Sequence, residues 1–301
     1  MNQRTLQNSY KFEGKGLHSG KFAHMTVGPA PEDTGIRFRR TDIGPTAFVD
    51  ALAENVSSTA RSTTISKGKV SVGTIEHILS ALTGLGIDNV LIDIDSSEVP
   101  ILDGSAREYV EAMSLDPLVE QDSPRRWIEI PEEIEFTDRK SGSYLRIIPS
   151  ESLEYELTID FNSRVLGVQT VHWDPSVDYS EEIGPCRTFC FFHEIEMLAR
   201  FGLVKGGDVE NAIVIVEKPA SERKIAHMAK VFNQPMLKVT PSGYLSNLTL
   251  RFPDECGRHK LLDLMGDLRL AGGFLKARVV AYKPGHKINT GVARLIREKT
   301  I

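Results

Sequence analysis

The sequence predicts an α+β fold of two similar domains, each a β-sheet covered by helices. Three observations carry this expectation. Short strand-like runs and isolated helical periods occur in both halves of the chain. A helix opening on Glu76-His77 and feeding a strand is echoed by one opening on Arg258-His259. Between Leu115 and Arg126 the text turns rich in Asp, Pro and Ser, which marks a boundary. The domains expected are therefore residues 1–124 and 125–301.

The elements follow in order. Phe22 to Val27 and Gly35 to Arg39 are short runs bounded by Gly, Pro and Asp, as in hairpins. Ile75, Ile78, Leu79 and Leu82 share one helical face, predicting a helix over Val72–Thr83 that ends at Gly84-Leu85-Gly86. Asn89–Ile94 is a buried strand. Asp103-Gly104-Ser105 is a turn into a helix, with Ser105 and Glu108 spelling a capping box. Strand alternation restarts at Trp127–Ile130 and continues at Tyr144–Ile148 and Tyr155–Phe161. A helix starts near Phe192, and Asn211–Val216 is a strand. Glu217–Ser242 is a polar helix plus loop. The last unit is a helix over Arg258–Leu270, then Gly272-Gly273 and the strand Lys276–Tyr282.

Composition bounds the function. With 41% hydrophobic and 26% charged residues over 301 positions, the chain can build a real core. A net charge of −5 argues against a nucleic-acid surface. No apolar h-region opens the chain and no run is long enough to span a bilayer, so a cytoplasmic protein is expected. Three cysteines, Cys186, Cys190 and Cys256, give no disulfide framework. Cys186 and Cys190 have the i,i+4 spacing of a metal pair, but no further Cys or His lies between them, so a structural role is expected.

The strongest chemical constellation is His259-Lys260-Leu261-Leu262-Asp263. Residues four apart stack on one helical face, so His259 and Asp263 can share an ion, with Asp267 one turn on as an outer partner. A charged stripe on a surface helix carries the same spacing. His77 is a candidate third donor, and its neighbour Glu76 repeats the logic of a general base beside a ligand His, acting on a metal-activated water; an ion pair at a helix start gives the same pattern. On a helix those two side chains diverge by about 100°. His286, after Pro284-Gly285, is read as a loop residue free to titrate and protonate a leaving group. His18 sits in a Gly-rich stretch that leads into a strand and is no dinucleotide fingerprint.

These motifs occur in one order: Gly16-Leu17-His18-Ser19-Gly20, Phe38-Arg39-Arg40-Thr41-Asp42, Thr74-Ile75-Glu76-His77, Leu85-Gly86-Ile87-Asp88-Asn89, Asp103-Gly104-Ser105, Arg187-Thr188-Phe189, His259–Asp263, Gly266-Asp267-Leu268 and Gly285-His286. The string resembles the zinc-dependent UDP-3-O-acyl-N-acetylglucosamine deacetylases of lipid A biosynthesis in Gram-negative bacteria. The resemblance implies a β-α-α-β sandwich with the helices between the sheets. It implies one catalytic zinc on His77, His259 and Asp263, Glu76 as base, and His286 as acid held by Asp267. Thr188 and Lys260 would stabilise an oxyanion, while Phe161, Phe189, Lys283 and His18 would contact a UDP-acyl-sugar. An insert around Ile195–Val209 would pass the acyl chain. Some relatives continue into a fused hydroxyacyl-carrier-protein dehydratase. Arg61-Ser62 depart from the family's apolar or Cys residues near the mouth of the site. The rival readings are another zinc amidohydrolase and a non-catalytic nucleotide-sugar binder.

Overall fold

The computed structural model describes residues 1–200, 211–232, 234 and 236–300. In the first half, β1 (Asn2–Thr5), β2 (Tyr10–Lys15), β3 (Phe22–Pro29), β4 (Ile36–Arg40), β5 (Phe48–Asp50), β6 (Val56–Ser58), β7 (Thr64–Lys67) and β8 (Val70–Gly73) precede the helix α1 (Glu76–Gly84). Then come β9 (Val90–Ile94) and α2 (Arg107–Met113). Along β3, Ala23, Met25 and Val27 face inward while Phe22 and His24 face outward, the period-two signature of a sheet with one buried face. The main sheet has the order β2-β3-β9-β4-β5, and β6-β7-β8 form a smaller one.

The second half runs β10 (Val119–Pro124), β11 (Trp127–Glu129), β12 (Ile134–Asp138), β13 (Ser143–Pro149), β14 (Glu154–Asp160), β15 (Val168–Trp173), α3 (Tyr179–Glu182), β16 (Phe189–Phe191) and α4 (Phe192–Arg200). It continues with β17 (Ile213–Ile215), α5 (Glu222–Val231), α6 (Glu255–Leu268), β18 (Phe274–Tyr282) and α7 (His286–Thr300). Its sheet has the order β12-β13-β18-β14-β15, with β11 on the first half of β18.

The two main sheets have one topology. In each, the strand that follows the long helix is central, β9 after α1 and β18 after α6. Its first neighbour comes from the opening hairpin and is antiparallel, β3 or β13. Its second neighbour is parallel, β4 or β14, and leads antiparallel into the edge strand β5 or β15. The weak echo between the two His-bearing segments is thus a repeat of architecture.

Helix α6 packs on α1, on α7 and on β14 and β15, so it lies between the halves. Of its fourteen residues only Arg258 and Lys260 escape burial, as expected for a central helix. One continuous apolar core runs from Phe38, Ile65 and Ile92 through Ile78 and Leu82 to Leu262, Leu157 and Val279. A separate small core joins Phe192 and Ile195 of α4 to Val214, Met228 and Leu245. The expected acyl passage around Ile195–Val209 falls partly at residues 201–209, outside the described residues.

Three local expectations are corrected, and the polar stretch before Arg126 carries β10, whose residues pair with β1. Val72 belongs to β8, and the helix begins only at Glu76, because Val70 and Val72 face the core with period two. Ser105 forms no capping box with Glu108: the N-cap of α2 is Ala106, and the Ser105 hydroxyl accepts the Arg107 amide at 3.1 Å. The Asp103 carboxylate instead accepts from the Ser105 amide at 3.0 Å and hydroxyl at 2.6 Å. His286 is not in a loop but is the first residue of α7, a helix whose Asn, Thr and Gly residues hide its period in the sequence.

The contact between α1 and α6 is set by Gly266. A Cβ there would stand 2.0 Å from the Glu76 carbonyl oxygen. In an exposed helix Gly→Ala stabilises by about 1 kcal/mol. Here the added methyl must push two backbones apart, so Gly266→Ala should instead destabilise by about 3 kcal/mol, read by urea denaturation.

Candidate metal centre

Helix α6 carries Glu255, His259, Asp263 and Asp267 at successive four-residue steps, a buried polar seam on one face. Against it α1 presents Glu76 and His77 from its first turn. The donor atoms of His77, His259 and Asp263 all lie within 4.8 Å of one another, and all three residues are buried. Asp263 Oδ1 stands 3.6 Å from His77 Nε2 and 3.4 Å from His259 Nε2. Ligands about 2.1 Å from a tetrahedral ion are themselves about 3.4 Å apart, so the spacing fits a small divalent cation.

The electrostatics agree. Asp263 Oδ1 is buried with no hydrogen-bond partner, a costly state that a cation relieves. Burial opposes ionisation of Asp263, but His259 and the Lys260 ammonium outweigh it and hold the carboxyl well below its usual range. Lys260 Nζ donates to the other carboxylate oxygen at 2.7 Å. Burial pushes His259 down to about 3, leaving a neutral imidazole. Its Nδ1 lies 3.0 Å from the Cys186 carbonyl, which fixes the proton there and turns the Nε2 lone pair toward Asp263.

Beside this triad stands a second constellation. His286 Nε2 is 3.8 Å from Glu76 Oε1, and its Nδ1 is 2.9 Å from Asp267 Oδ2. Burial alone would lower the His286 pKa, but Asp267 and Glu76 raise it to about 9, so the ring is protonated at neutral pH. Burial raises Glu76, against the pull of His286 and His77. Asp267 is saturated, since Asn289 Nδ2 also donates to Oδ2 at 2.9 Å and Thr63 Oγ1 donates to Oδ1 at 2.5 Å. The Thr63 amide donates to Glu76 Oε2 at 3.0 Å, so one residue orients both carboxylates.

The other expected residues divide. Phe189 lies edge-on to His259 with centroids 6.4 Å apart and meets Phe161, which is 42% exposed, edge to face at 5.4 Å. Lys260 Nζ sits 5.5 Å over the Phe189 ring. Lys283 pairs with Asp160 at 3.1 Å and lines, with Arg139 and His286, a cavity of about 410 Å³. His18 is half-buried, and its Nε2 is hidden without a partner. Thr188 is held by its main chain, to Gly104 and Ile213 at 2.8 Å each, and no hydrogen bond joins its hydroxyl to the cluster among the described residues. Cys186 and Cys190 are free thiols turned to the Glu182 and Ile213 carbonyls, in keeping with a structural role.

Several residues went unread in the sequence. Thr63 and Asn289 are single polar residues with no motif. Arg187 and Glu255 form a buried ion pair at 2.8 Å, and Glu255 also accepts the Arg187 and Arg251 amides. The pair was half legible, since Arg187 belongs to a quoted motif and Glu255 starts the four-residue series. Three of the non-glycine residues at positive φ lie just before site residues: Arg61 (70°), Thr74 (58°) and Lys283 (52°). Such backbone is sparsely populated and gathers at functional sites.

The sequence pattern of the UDP-3-O-acyl N-acetylglycosamine deacetylase family matches residues 3–230 and 229–298. A protein of Porphyromonas gingivalis named "Bifunctional enzyme LpxC/FabZ" is 41% identical over 99% of this chain and 64% of its own length. One of Bacteroides thetaiotaomicron with the same name is 39% identical over 99% and 65%. A "UDP-3-O-acyl-N-acetylglucosamine deacetylase" of Pseudomonas entomophila is 40% identical over 99% of this chain and 91% of its own. The chain thus spans less than two thirds of the bifunctional relatives. No helix among the described residues is long and apolar enough to cross a membrane.

Chelator-treated protein titrated with Zn²⁺ against a competing dye should take up one tight ion per chain. His77→Ala, His259→Ala and Asp263→Ala should each weaken it by more than the ~10–100-fold that loss of an outer partner costs. Unchanged affinity in any of the three would remove that residue from the centre.

Proposed function

The chain belongs to the UDP-3-O-acyl N-acetylglycosamine deacetylase family, and from that premise we propose that it removes the N-acetyl group of a UDP-3-O-acyl-N-acetylglucosamine in lipid A biosynthesis. Water adds to the acetyl carbonyl, the amide C–N bond breaks, and acetate and the free sugar amine leave. The observation that carries the reading is the pairing of a vacant-oxygen donor triad with a base–acid pair 3.8 Å apart.

His77, His259 and Asp263 would hold one zinc ion, their two imidazoles and one carboxylate being a donor set suited to it. Bound there, zinc supplies Lewis acidity, acidifying water and polarising the carbonyl. Glu76 takes the proton of the attacking water; its raised affinity for protons, set by burial, suits a base working near neutral pH. His286, charged and aimed by Asp267, gives a proton to the departing amine nitrogen. Lys260, with Thr188 after a turn of its hydroxyl, would face the developing oxyanion. Phe161, Phe189, Lys283 and His18 form the substrate side, the aromatic pair meeting uridine and Lys283 a phosphate.

The halves 1–124 and 125–301, each with its own main sheet, are the domains assigned to this enzyme. The three free thiols support a cytoplasmic site of action. A fused dehydratase is the partner module proposed, in line with the bifunctional names of the longer relatives.

Acetate release from UDP-3-O-acyl-N-acetylglucosamine should vanish on chelation and return with zinc. No release from zinc-loaded protein would sink the reading. Glu76→Ala and His286→Ala should each lower kcat by ~10²–10⁴ with zinc still bound. The pH profile of kcat/KM should be a bell, rising as Glu76 loses its proton and falling as His286 loses its own near 9. His286→Gln should abolish the alkaline limb; a limb that persists would assign it to another group.

A further inference from the structure

Glu98 lies outside every motif used so far, on the segment that follows β9. It is 5% exposed, and no Lys or Arg pairs with it among the described residues. Its charge is held by short-range donors instead. The His18 amide donates to Oε1 at 2.9 Å, the Ser19 amide to Oε2 at 2.7 Å and the Thr74 hydroxyl to Oε1 at 2.8 Å. Burial opposes the ionised form, yet these bonds win and hold the carboxyl below its usual range. Gly16 is needed for the fit, since a Cβ there would stand 2.4 Å from Glu98 Oε2.

The two ends of this bond set lead into the metal centre. On one side is His18, whose Nε2 is hidden without a partner and whose pKa burial lowers, against the pull of Glu98 and with Arg61, His286 and His77. On the other is Thr74, a β-branched residue at φ 58°, where a side chain is strongly disfavoured. Thr74 is the last turn residue before Ile75, Glu76 and His77. Helix α1 has no side-chain cap, so its start is held from outside, on one side by Thr63, whose carbonyl accepts the Ile75 amide at 3.3 Å and whose amide donates to Glu76 Oε2 at 3.0 Å. The chain at 97–99 grips that turn from the other side, with Gly73 N donating to Ser97 O at 2.9 Å and Val99 N to Gly73 O at 3.1 Å.

We propose that Glu98 is a positioning residue of the reaction, one carboxylate that presents His18 to the substrate side and holds Thr74 in the left-handed turn that aims Glu76 and His77. The inference rests on the roles given to those residues above. It says more than that a buried carboxylate stabilises the fold: the Thr74 hydroxyl bond holds a strained backbone whose relaxation would rotate the first turn of α1.

The test uses the zinc-loaded chain. Glu98→Gln keeps the size but removes the charge and one acceptor oxygen, so that an N–H₂ faces either the Ser19 amide or the His18 amide and Thr74 hydroxyl. It should weaken zinc by about tenfold or more in chelator competition, lower kcat more than it raises KM, and move the His18 ring resonances in a ¹H–¹⁵N spectrum. Thr74→Val, which removes only the hydroxyl, should weaken zinc in the same direction and serves if Glu98→Gln does not fold. The decisive variant is Glu98→Gln/Thr74→Gly. Glycine adopts positive φ without strain, so zinc affinity should recover while the His18 resonances stay displaced. Glu98→Gln or Thr74→Val with wild-type zinc affinity, or a double variant with no recovery, would overturn the proposal. The affinity and resonance measurements need no substrate, so their outcome is separate from whether the wild-type chain releases acetate.

Discussion

Everything in this molecule hangs on how closely two helices cross. Helices α1 and α6 come from different halves of the chain, and each owns part of the donor set. Neither half can build the centre alone, since His77 sits on one and His259 and Asp263 on the other. The crossing is close because Gly266 has no side chain where the Glu76 carbonyl passes. Packed interiors are dense and yield little, so a distance set by backbone contact passes unchanged to side chains one turn away. The 3.4 Å and 3.6 Å spacings about Asp263 are the outcome. The repeated topology explains why the crossing exists: two copies of one unit put their long helices face to face.

The same crossing buries charge that water would otherwise stabilise. Glu76, Asp263 and Asp267 lie together out of solvent, and three carboxyls so placed cannot all stay ionised without compensation. The chain divides the load. Asp267 is given three hydrogen-bonding neighbours, a charged His286 and neutral donors from Thr63 and Asn289. Asp263 receives Lys260 on one oxygen and leaves the other bare. Glu76 receives one amide and is left with a raised pKa. Three carboxyls a few residues apart are thereby given three tasks by their surroundings alone.

How much of this was legible depended on whether a residue's role is carried by spacing. His259, Asp263 and Asp267 repeat every four residues, and a helix turns that repeat into a face, so they could be read directly. Glu76 and His77 were legible because a helix start lets adjacent side chains reach one cavity. The duplicated topology was faint in the sequence, since strand order depends on pairing between distant segments such as β9 with β3 and β4. His286 lies beside Asp267 and Glu76, but in the sequence it read as a loop residue. Asn289, Thr290 and Gly291 break the apolar period of α7, and only tertiary packing on α6 and β13 makes that segment helical. Thr63 and Glu98 were invisible for a different reason: each acts through hydrogen bonds across sequence gaps that no local pattern records, and Thr74, though inside a quoted motif, showed no sign of its bond to Glu98.

The strained turns at Arg61, Thr74 and Lys283 have a consequence for how the protein ages when warmed. Backbone held in a sparsely populated region stays there only while its surroundings over-determine it, so it relaxes first when those surroundings loosen. In this chain those places lie just ahead of Thr63, of Glu76 and His77, and of His286. Mild heating therefore reaches the aiming of the reactive groups before it reaches the sheets behind them. Loss of the donor geometry and loss of fold become two separate events, and a sample can keep its full circular dichroism signal after the arrangement of its donors has gone.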